Sequence, residues 1–177
     1  GYDMYLLAEH RKTLVDYLSD NAMTKLCAVN LAMDLCSALI DLRAAGLIHR
    51  DVKPQNILRR ENGRFVLIDF DAARLYDADA DTDTRCIVTM GYAAPEQYGL
   101  AQTDVRSDLF SLGVTLYEMK TGEHYVMGAK CEGALHAVIA RCTAFDPKKR
   151  YASAEELLRA LDAQTPAGKK RRLRRDV

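Results

Sequence analysis

Apolar residues recur at helical spacing in the longest patterned stretch of the chain, residues 24–45. They form two stripes, the first of Leu26, Val29, Met33, Cys36 and Ile40 and the second of Leu31, Leu35, Leu39 and Leu42. A helix that is apolar on two faces is buried within a fold. Gly46 follows the stretch and is the expected left-handed end of the helix.

Further helical patterns predict that most of the chain is α-helical. They cover residues 14–19, 104–121, 133–144 and 154–163. Gly122 ends the second of these, which is strongly apolar, and Ser153 and Glu156 form an S-x-x-E capping box before the last. Thr13 is the expected cap of the first.

A β-hairpin is the one strong strand signal. Two apolar runs, residues 57–60 and 64–68, flank an Asn62-Gly63 turn signal. Counting outward from a two-residue turn gives these pairs: Leu58 with Leu67 on one face, and Asn56 with Asp69. Directly opposite Cβ atoms lie about 4.5–5.5 Å apart. We therefore expect Asn56 beside Asp69, followed by a polar loop over residues 71–90.

Composition and charge narrow the function classes. The five cysteines are odd in number and form no CxxC pair, which disfavours zinc and a disulfide framework and favours a reducing, cytoplasmic setting. Residues 169–177 hold six of the 25 basic residues and one of the 25 acidic ones, so the rest of the chain has a net charge of −5. A uniformly basic nucleic-acid-binding surface is not indicated. The basic tail has three open interpretations: a solvated end, a nucleic-acid contact, or a segment beside a membrane at its cytoplasmic face.

Two short polar motifs meet at the ends of the predicted hairpin. The first is His49-Arg50-Asp51-Val52-Lys53-Pro54-Gln55-Asn56, and the second is Asp69-Phe70-Asp71. Two acids, a lysine and an amide in one place suit a metal–phosphate complex and a hydroxyl that gives up a proton.

These motifs resemble the C-terminal lobe of protein kinases, together with Ala94-Pro95-Glu96, Asp108 and Arg150 in the same order. The resemblance covers roughly residues 5–161. It implies a mainly α fold with a small β-hairpin, as a kinase C-terminal lobe whose parent fold is α+β and whose N-terminal lobe is absent. The expected domain is 1–163, starting near the hinge, with a basic disordered tail at 164–177.

The resemblance also implies roles in ATP and Mg²⁺ binding and in catalysis. Asp51 accepts the proton of the substrate hydroxyl, and Lys53 steadies the transferred phosphate. The remaining residues serve the nucleotide: Asn56 and Asp69 as Mg²⁺ ligands, Leu58 as the adenine floor, and Glu9 and His10 at the hinge. A lysine two residues after the aspartate is similar to Ser/Thr kinases, and Gly91-Tyr92-Ala93-Ala94-Pro95-Glu96-Gln97 is similar to bacterial ones.

Structural and regulatory roles follow from the same resemblance. Thr89 is expected to contact the catalytic loop. Arg50 resembles the arginine that pairs with a phosphorylated activation loop, and Thr82 and Thr84 are the candidate acceptors. The structural residues are His49 stacked on Phe70, Asp108 as their anchor, and a buried Glu96–Arg150 ion pair.

Four departures from the family pattern are visible in the sequence. It contains no glycine-rich phosphate loop, and no lysine and glutamate pair of the N-terminal lobe. Asp71 replaces a glycine, the hinge is about two residues short, and the helix expected before residue 133 is reduced.

We therefore expect a Ser/Thr protein kinase fragment that uses Mg-ATP on protein substrates. It would need the missing N-terminal lobe of the same polypeptide, and it would be inactive alone. The alternative is a pseudokinase-like regulatory or binding module without catalysis.

Overall fold

The computed structural model describes residues 12–20, 24–76, 89–99, 102–133 and 135–165. Helices predominate in them: α1 (Leu14–Asp20), α2 (Lys25–Ala44), α3 (Val105–Thr121), α4 (His136–Cys142) and α5 (Ala154–Asp162). The strands are β1 (Lys12–Thr13), β2 (Leu47–Ile48), β3 (Ile57–Arg59), β4 (Phe65–Leu67) and β5 (Arg74–Leu75). The predicted mainly α fold is confirmed. Within the described residues, no helix has the length and apolar composition needed to cross a membrane.

Helix α2 lies at the centre of the core, as its two apolar stripes predict. It packs against α3 and α5, while α4 packs against α3. Thr24 caps α2 by accepting a hydrogen bond from the Cys27 N–H at 3.2 Å, and Gly46 follows it with φ +71°. Leu26 differs from its predicted place in the apolar stripe, because it is 59% exposed in the first turn of the helix.

Helix α3 passes through the core almost completely buried and carries residues that later define the site. Asp104 caps its first turn, and Gly122 ends it with φ +73°. Gly113 lies where α3 crosses α4: a Cβ there would approach the Cβ of Cys142 to 2.5 Å. Only a glycine therefore allows these two helices to lie so close together.

Helices α4 and α5 are close to the prediction, with one difference each. Helix α4 begins at His136 rather than at residue 133, because Gly133 has φ +87°, which a helix cannot contain. Before α5, Ser153 Oγ accepts from the Glu156 N–H at 3.4 Å. The Glu156 carboxylate accepts from the Ala152 N–H at 2.7 Å rather than from that of Ser153.

The predicted register of the hairpin is wrong by one residue. Strands β3 and β4 pair Ile57 with Leu67 and Leu58 with Val66. Residues 61–63 form a three-residue loop, closed by a hydrogen bond from the Arg60 N–H to the Arg64 carbonyl at 2.8 Å. Gly63, with φ +80°, takes the left-handed position that such a loop needs.

Since side chains alternate along a strand, this shift changes which residues share a face of the hairpin: Leu67 shares a face with Ile57 and not with Leu58. Ile57 and Leu67 are buried in the core, whereas Leu58 is half-buried beside Val66. The Asn56 carbonyl accepts from the Ile68 N–H at 2.9 Å, so Asn56 faces Ile68 and not Asp69.

One strand of a second, two-stranded sheet lies within residues 71–90, for which we predicted a loop. Strand β5 pairs with β2, with Arg74 opposite Ile48. Each strand has two residues, which is too short to produce a periodic pattern in the sequence. This sheet fixes the entry into the first polar motif.

Candidate active site

The polar loop between β2 and β3, residues 49–56, is anchored to the core through helix α3. The Asp108 carboxylate accepts from the His49 N–H at 2.9 Å and from the Arg50 N–H at 2.7 Å. Asp108 is 1% exposed. Burial raises the pKa of Asp108 to about 6, although the hydrogen bonds from the two backbone N–H groups act to lower it.

Asp51 lies at the centre of a hydrogen-bonded cluster with three other side chains. Its Oδ2 atom is 2.7 Å from Lys53 Nζ and accepts from Asn56 Nδ2 at 2.8 Å. Its Oδ1 atom accepts from Thr89 Oγ1 at 2.6 Å, and Lys53 Nζ also donates to Thr89 Oγ1 at 3.1 Å. The structure therefore brings together three residues of the loop and Thr89, as the sequence predicted.

The environment of Asp51 keeps its carboxylate ionised. Burial acts to raise the pKa, but hydrogen bonds from Lys53, Thr89 and Asn56 outweigh it and hold the pKa below its usual value. The side chain retains 15% exposure. An ionised, partly accessible carboxylate with two oriented oxygens is suited to accept a hydrogen bond from a hydroxyl group and to orient it.

His49, the first residue of the loop, has a buried side chain with a neutral imidazole. Burial lowers its pKa, although a bond to the Ile68 carbonyl at 3.2 Å and the nearby Asp51 and Asp69 carboxylates act in the opposite direction. Its ring packs edge-on against Phe70, with centroids 5.0 Å apart. His49 and Phe70 are thus in contact, as predicted, and His49 lies near both acidic groups.

A buried ion pair fixes the segment that follows Thr89. Arg150 and Glu96 form a bidentate pair with N–O distances of 2.6 and 3.0 Å, and Ser107 Oγ donates to the same carboxylate at 2.7 Å. The two side chains are 0% and 6% exposed. Arg150 also donates to the carbonyls of Ala144, Arg106 and Phe145. The pair connects the residue 95–98 turn to the end of α4.

A protein kinase domain model matches residues 2–163 of the chain. The chain belongs to the protein kinase family. Its resemblance to bacterial Ser/Thr protein kinases is confirmed by curated relatives. It is 38% identical over 122 residues to a probable serine/threonine-protein kinase of Clostridium perfringens, 33% over 180 residues to serine/threonine-protein kinase PknB of Mycobacterium leprae, and 34% over 148 residues to serine/threonine-protein kinase A of Synechocystis.

These alignments cover most of this chain and a small part of each relative. They include 67%, 86% and 68% of the chain, and 18%, 29% and 28% of the respective relatives. The chain therefore spans less than a third of the length of the kinases it matches.

Protein kinases use Mg-ATP, and two residues of the site offer oxygen ligands for the metal. Asn56 uses its amide nitrogen twice on Asp51, which leaves its Oδ1 atom as the oxygen available to a cation. Asp69 offers an exposed carboxylate at φ +65°. The described residues contain no cluster of three His, Cys, Asp or Glu side chains that suits a metal. One carboxylate and one amide oxygen from the protein nevertheless suit Mg²⁺, because this ion takes most of its ligands from substrate phosphates and water.

Asp71, which replaces the usual glycine of the kinase magnesium motif, fits the backbone without strain. Among the described non-glycine residues, only Arg50 and Asp69 have positive φ, so residue 71 does not need the freedom of glycine. The Asp71 N–H donates to Asp69 Oδ1 at 3.2 Å.

Several predicted kinase residues cannot be located. Glu9, His10, Thr82 and Thr84 lie outside the described residues. Leu58 lies on the half-buried face of β3, opposite Val66 and Thr13. Its role as an adenine floor stays a prediction.

The sequence did not identify two residues that lie close to the polar loop of residues 49–56. Gln97 is 1% exposed and donates to the Arg50 carbonyl at 2.9 Å. Arg74 lies opposite Ile48 in the β2–β5 sheet, near the start of the loop. The position of Gln97 directly after Ala-Pro-Glu was visible, but nothing in the sequence identified its partner.

Proposed function

We propose that this chain carries the catalytic and metal-binding half of a Ser/Thr protein kinase site. The observation that carries the proposal is the Asp51 cluster: an ionised carboxylate held on both oxygens by Lys53, Asn56 and Thr89. In the proposed reaction, Asp51 orients a substrate Ser or Thr hydroxyl and takes its proton. Phosphoryl transfer depends mostly on such alignment and on charge stabilisation.

The other roles follow from the charges in the site. Lys53 would neutralise charge on the transferred phosphoryl group, while Asn56 and Asp69 would hold Mg²⁺. When bound, Mg-ATP supplies the phosphoryl group and the charge that balances it. Thr89 bonds to both Asp51 and Lys53, so its hydroxyl would keep the two groups aligned.

A second part of the proposal concerns what the chain needs from elsewhere. The sequence contains no glycine-rich phosphate loop, so we propose that the N-terminal lobe of the same polypeptide completes the ATP site. Residues 1–163 would then act as the C-terminal lobe, followed by the basic tail of residues 164–177. On this proposal, residues 1–177 alone transfer no phosphate.

Regulation by phosphorylation is a further part of the proposal. Arg74 in β5 lies opposite Ile48, two residues before Arg50, so the two arginines lie on neighbouring segments of the fold. A phosphate on Thr82 or Thr84 would find cationic partners there.

The test is phosphorylation of a generic protein substrate by the complete polypeptide that contains residues 1–177. We expect Asp51→Asn to reduce kcat at least about 100-fold, because it removes the proton acceptor. Asp41→Asn is the matched control, since Asp41 is an exposed acid on α2. Transfer by residues 1–177 alone, abolished by Asp51→Asn, would contradict the need for another lobe.

A regulatory binding module without catalysis is the second candidate. Asp71 favours it, because this acid adds a negative charge two residues after Asp69, where the family has an uncharged glycine. In that case the complete polypeptide would bind nucleotide without transferring phosphate. Nucleotide binding by the complete wild-type polypeptide, with no phosphate transfer above that of an assay without the protein, would support this candidate over the kinase.

A further inference from the structure

Arg50, the residue before Asp51, has a buried backbone in a conformation that arginine rarely adopts. Its φ angle is +67°, in the left-handed region that is unfavourable for residues with a Cβ atom. Its N–H is bound by Asp108 at 2.7 Å, and its carbonyl by Gln97 at 2.9 Å. Two side chains from other parts of the chain thus hold this one residue.

Gln97, the second of these side chains, is held by hydrogen bonds at both polar atoms of its amide group. Its Oε1 atom accepts from the Ala94 N–H at 2.9 Å, so its amide can present only the Nε2 group to Arg50. It directly follows Glu96, which the buried pair with Arg150 holds in place. The position of the Gln97 amide is therefore determined by the core.

The bond to Gln97 also sets the plane of the peptide that leads into Asp51. A peptide group is planar, so its C=O and N–H directions are linked. The C=O of the Arg50–Asp51 peptide is held by Gln97, and its N–H donates to His49 Nδ1 at 3.3 Å. Rotation of this peptide would move Asp51 relative to Lys53 and Thr89.

We propose that Gln97 is a positioning residue: its side-chain amide holds the Arg50–Asp51 peptide in the orientation that presents the Asp51 carboxylate to the site. The role in catalysis rests on the proposed kinase function, whereas the placement of Asp51 does not. A buried carbonyl without a donor is costly, and a left-handed arginine relaxes when it is released. Loss of the Gln97 donor therefore turns the peptide and separates Asp51 from its partners.

The direct test is the crystal structure of residues 1–177 as wild type and as two Gln97 variants. Gln97→Met keeps the length of the side chain and removes both polar groups, and Gln97→Glu keeps the acceptor and removes the donor. In both variants the Arg50–Asp51 peptide should be rotated, and the Asp51–Thr89 and Asp51–Lys53 distances, 2.6 and 2.7 Å in the wild type, should lengthen beyond hydrogen-bond range. Gln164→Met, the same change after α5, should leave both distances unchanged.

A rescue separates positioning from packing. Glycine adopts the left-handed conformation without strain, so the peptide should keep its orientation in an Arg50→Gly protein even without Gln97. The Asp51–Thr89 and Asp51–Lys53 distances should then be equal in Arg50→Gly and in Arg50→Gly/Gln97→Met. A lengthening of equal size in the arginine and glycine backgrounds would overturn the proposal, and so would unchanged distances in either folded Gln97 single variant. Should Gln97→Met fail to fold, Gln97→Glu carries the comparison.

Kinetics of the complete polypeptide add a separate readout. Gln97→Glu should reduce kcat at least about tenfold with KM changed less than about twofold, because alignment and not binding is lost. Equal losses through KM would contradict positioning. The position of Asp51 in the crystal structures is measured without phosphate transfer, so a failed kinase proposal leaves the structural result interpretable.

Discussion

Removal of the Arg150 side chain tests how strongly the buried ion pair holds the fold. The change is Arg150→Met, which fills most of the space without a charge. It leaves the Glu96 carboxylate buried with one remaining side-chain donor, the Ser107 hydroxyl at 2.7 Å. It also removes the donors that now satisfy three backbone carbonyls, and the contact of the guanidinium with the Phe110 ring at 4.8 Å.

The expected magnitude follows from this geometry. Breaking a buried pair by removing one partner costs about 3–5 kcal/mol, since the other charge stays buried. The pair here is bidentate and 0% and 6% exposed, so we place Arg150→Met at about 4 kcal/mol. For a protein of this size, that corresponds to a decrease in Tm of roughly 8–16 °C. Arg150→Lys should decrease the Tm by less than Arg150→Met does, but its Tm should still lie below that of the wild type, because a lysine cannot make the two parallel bonds.

Thermal and urea unfolding of residues 1–177, followed by circular dichroism, measure this effect. The matched control is Arg43→Met. Arg43 is 3.5 Å from Glu155, and the two side chains are 56% and 41% exposed, so its loss should change stability by less than about 0.5 kcal/mol. A decrease of less than about 1 kcal/mol for Arg150→Met would refute the reasoning, since it would mean that Glu96 finds solvent or takes up a proton at little cost.

Two further predictions concern helix α3. The pKa of Asp108, raised to about 6 by burial, makes its contribution to stability largest below pH 4 and lost as the pH rises through 6. Urea titrations of the wild type and of Asp108→Asn should therefore show a difference in unfolding free energy that decreases as the pH rises from about 4 to about 6. A difference that does not change with pH would show that the pKa of Asp108 is not raised by folding. Gly113→Ala should destabilise by about 1–3 kcal/mol despite the higher helix propensity of alanine, because its Cβ would lie 2.5 Å from that of Cys142. An increase in urea midpoint would show that α3 and α4 can separate without cost.

The elements predicted well were those with strong local signals. Helices α2 and α3 each have an apolar pattern over several turns, a capping side chain at the start and a glycine at the end. Each of these signals acts within a few residues, so the sequence alone contains them. The two motifs of the site were found for a related reason, since their residue types and order are read directly from the chain.

The hairpin illustrates where local signals were insufficient. Asn62-Gly63 correctly marks a turn, but a two-residue and a three-residue loop both accept these residues. The burial of Ile57 and Leu67 against the core selected the second, since it places both on the inner face. With the three-residue loop, Asn56 lies opposite Ile68, so the predicted pairing of Asn56 with Asp69 does not form.

The sequence by itself determined the family, the main helices and the two motifs that supply the site. Only the tertiary structure decided how the Asp51 cluster is held, because its supports come from distant parts of the chain. Asp108 and Gln97 lie 58 and 47 residues after Arg50, yet they bind its N–H and its carbonyl. No local rule predicts a left-handed arginine, since its strain is offset by buried hydrogen bonds that exist only in the folded protein.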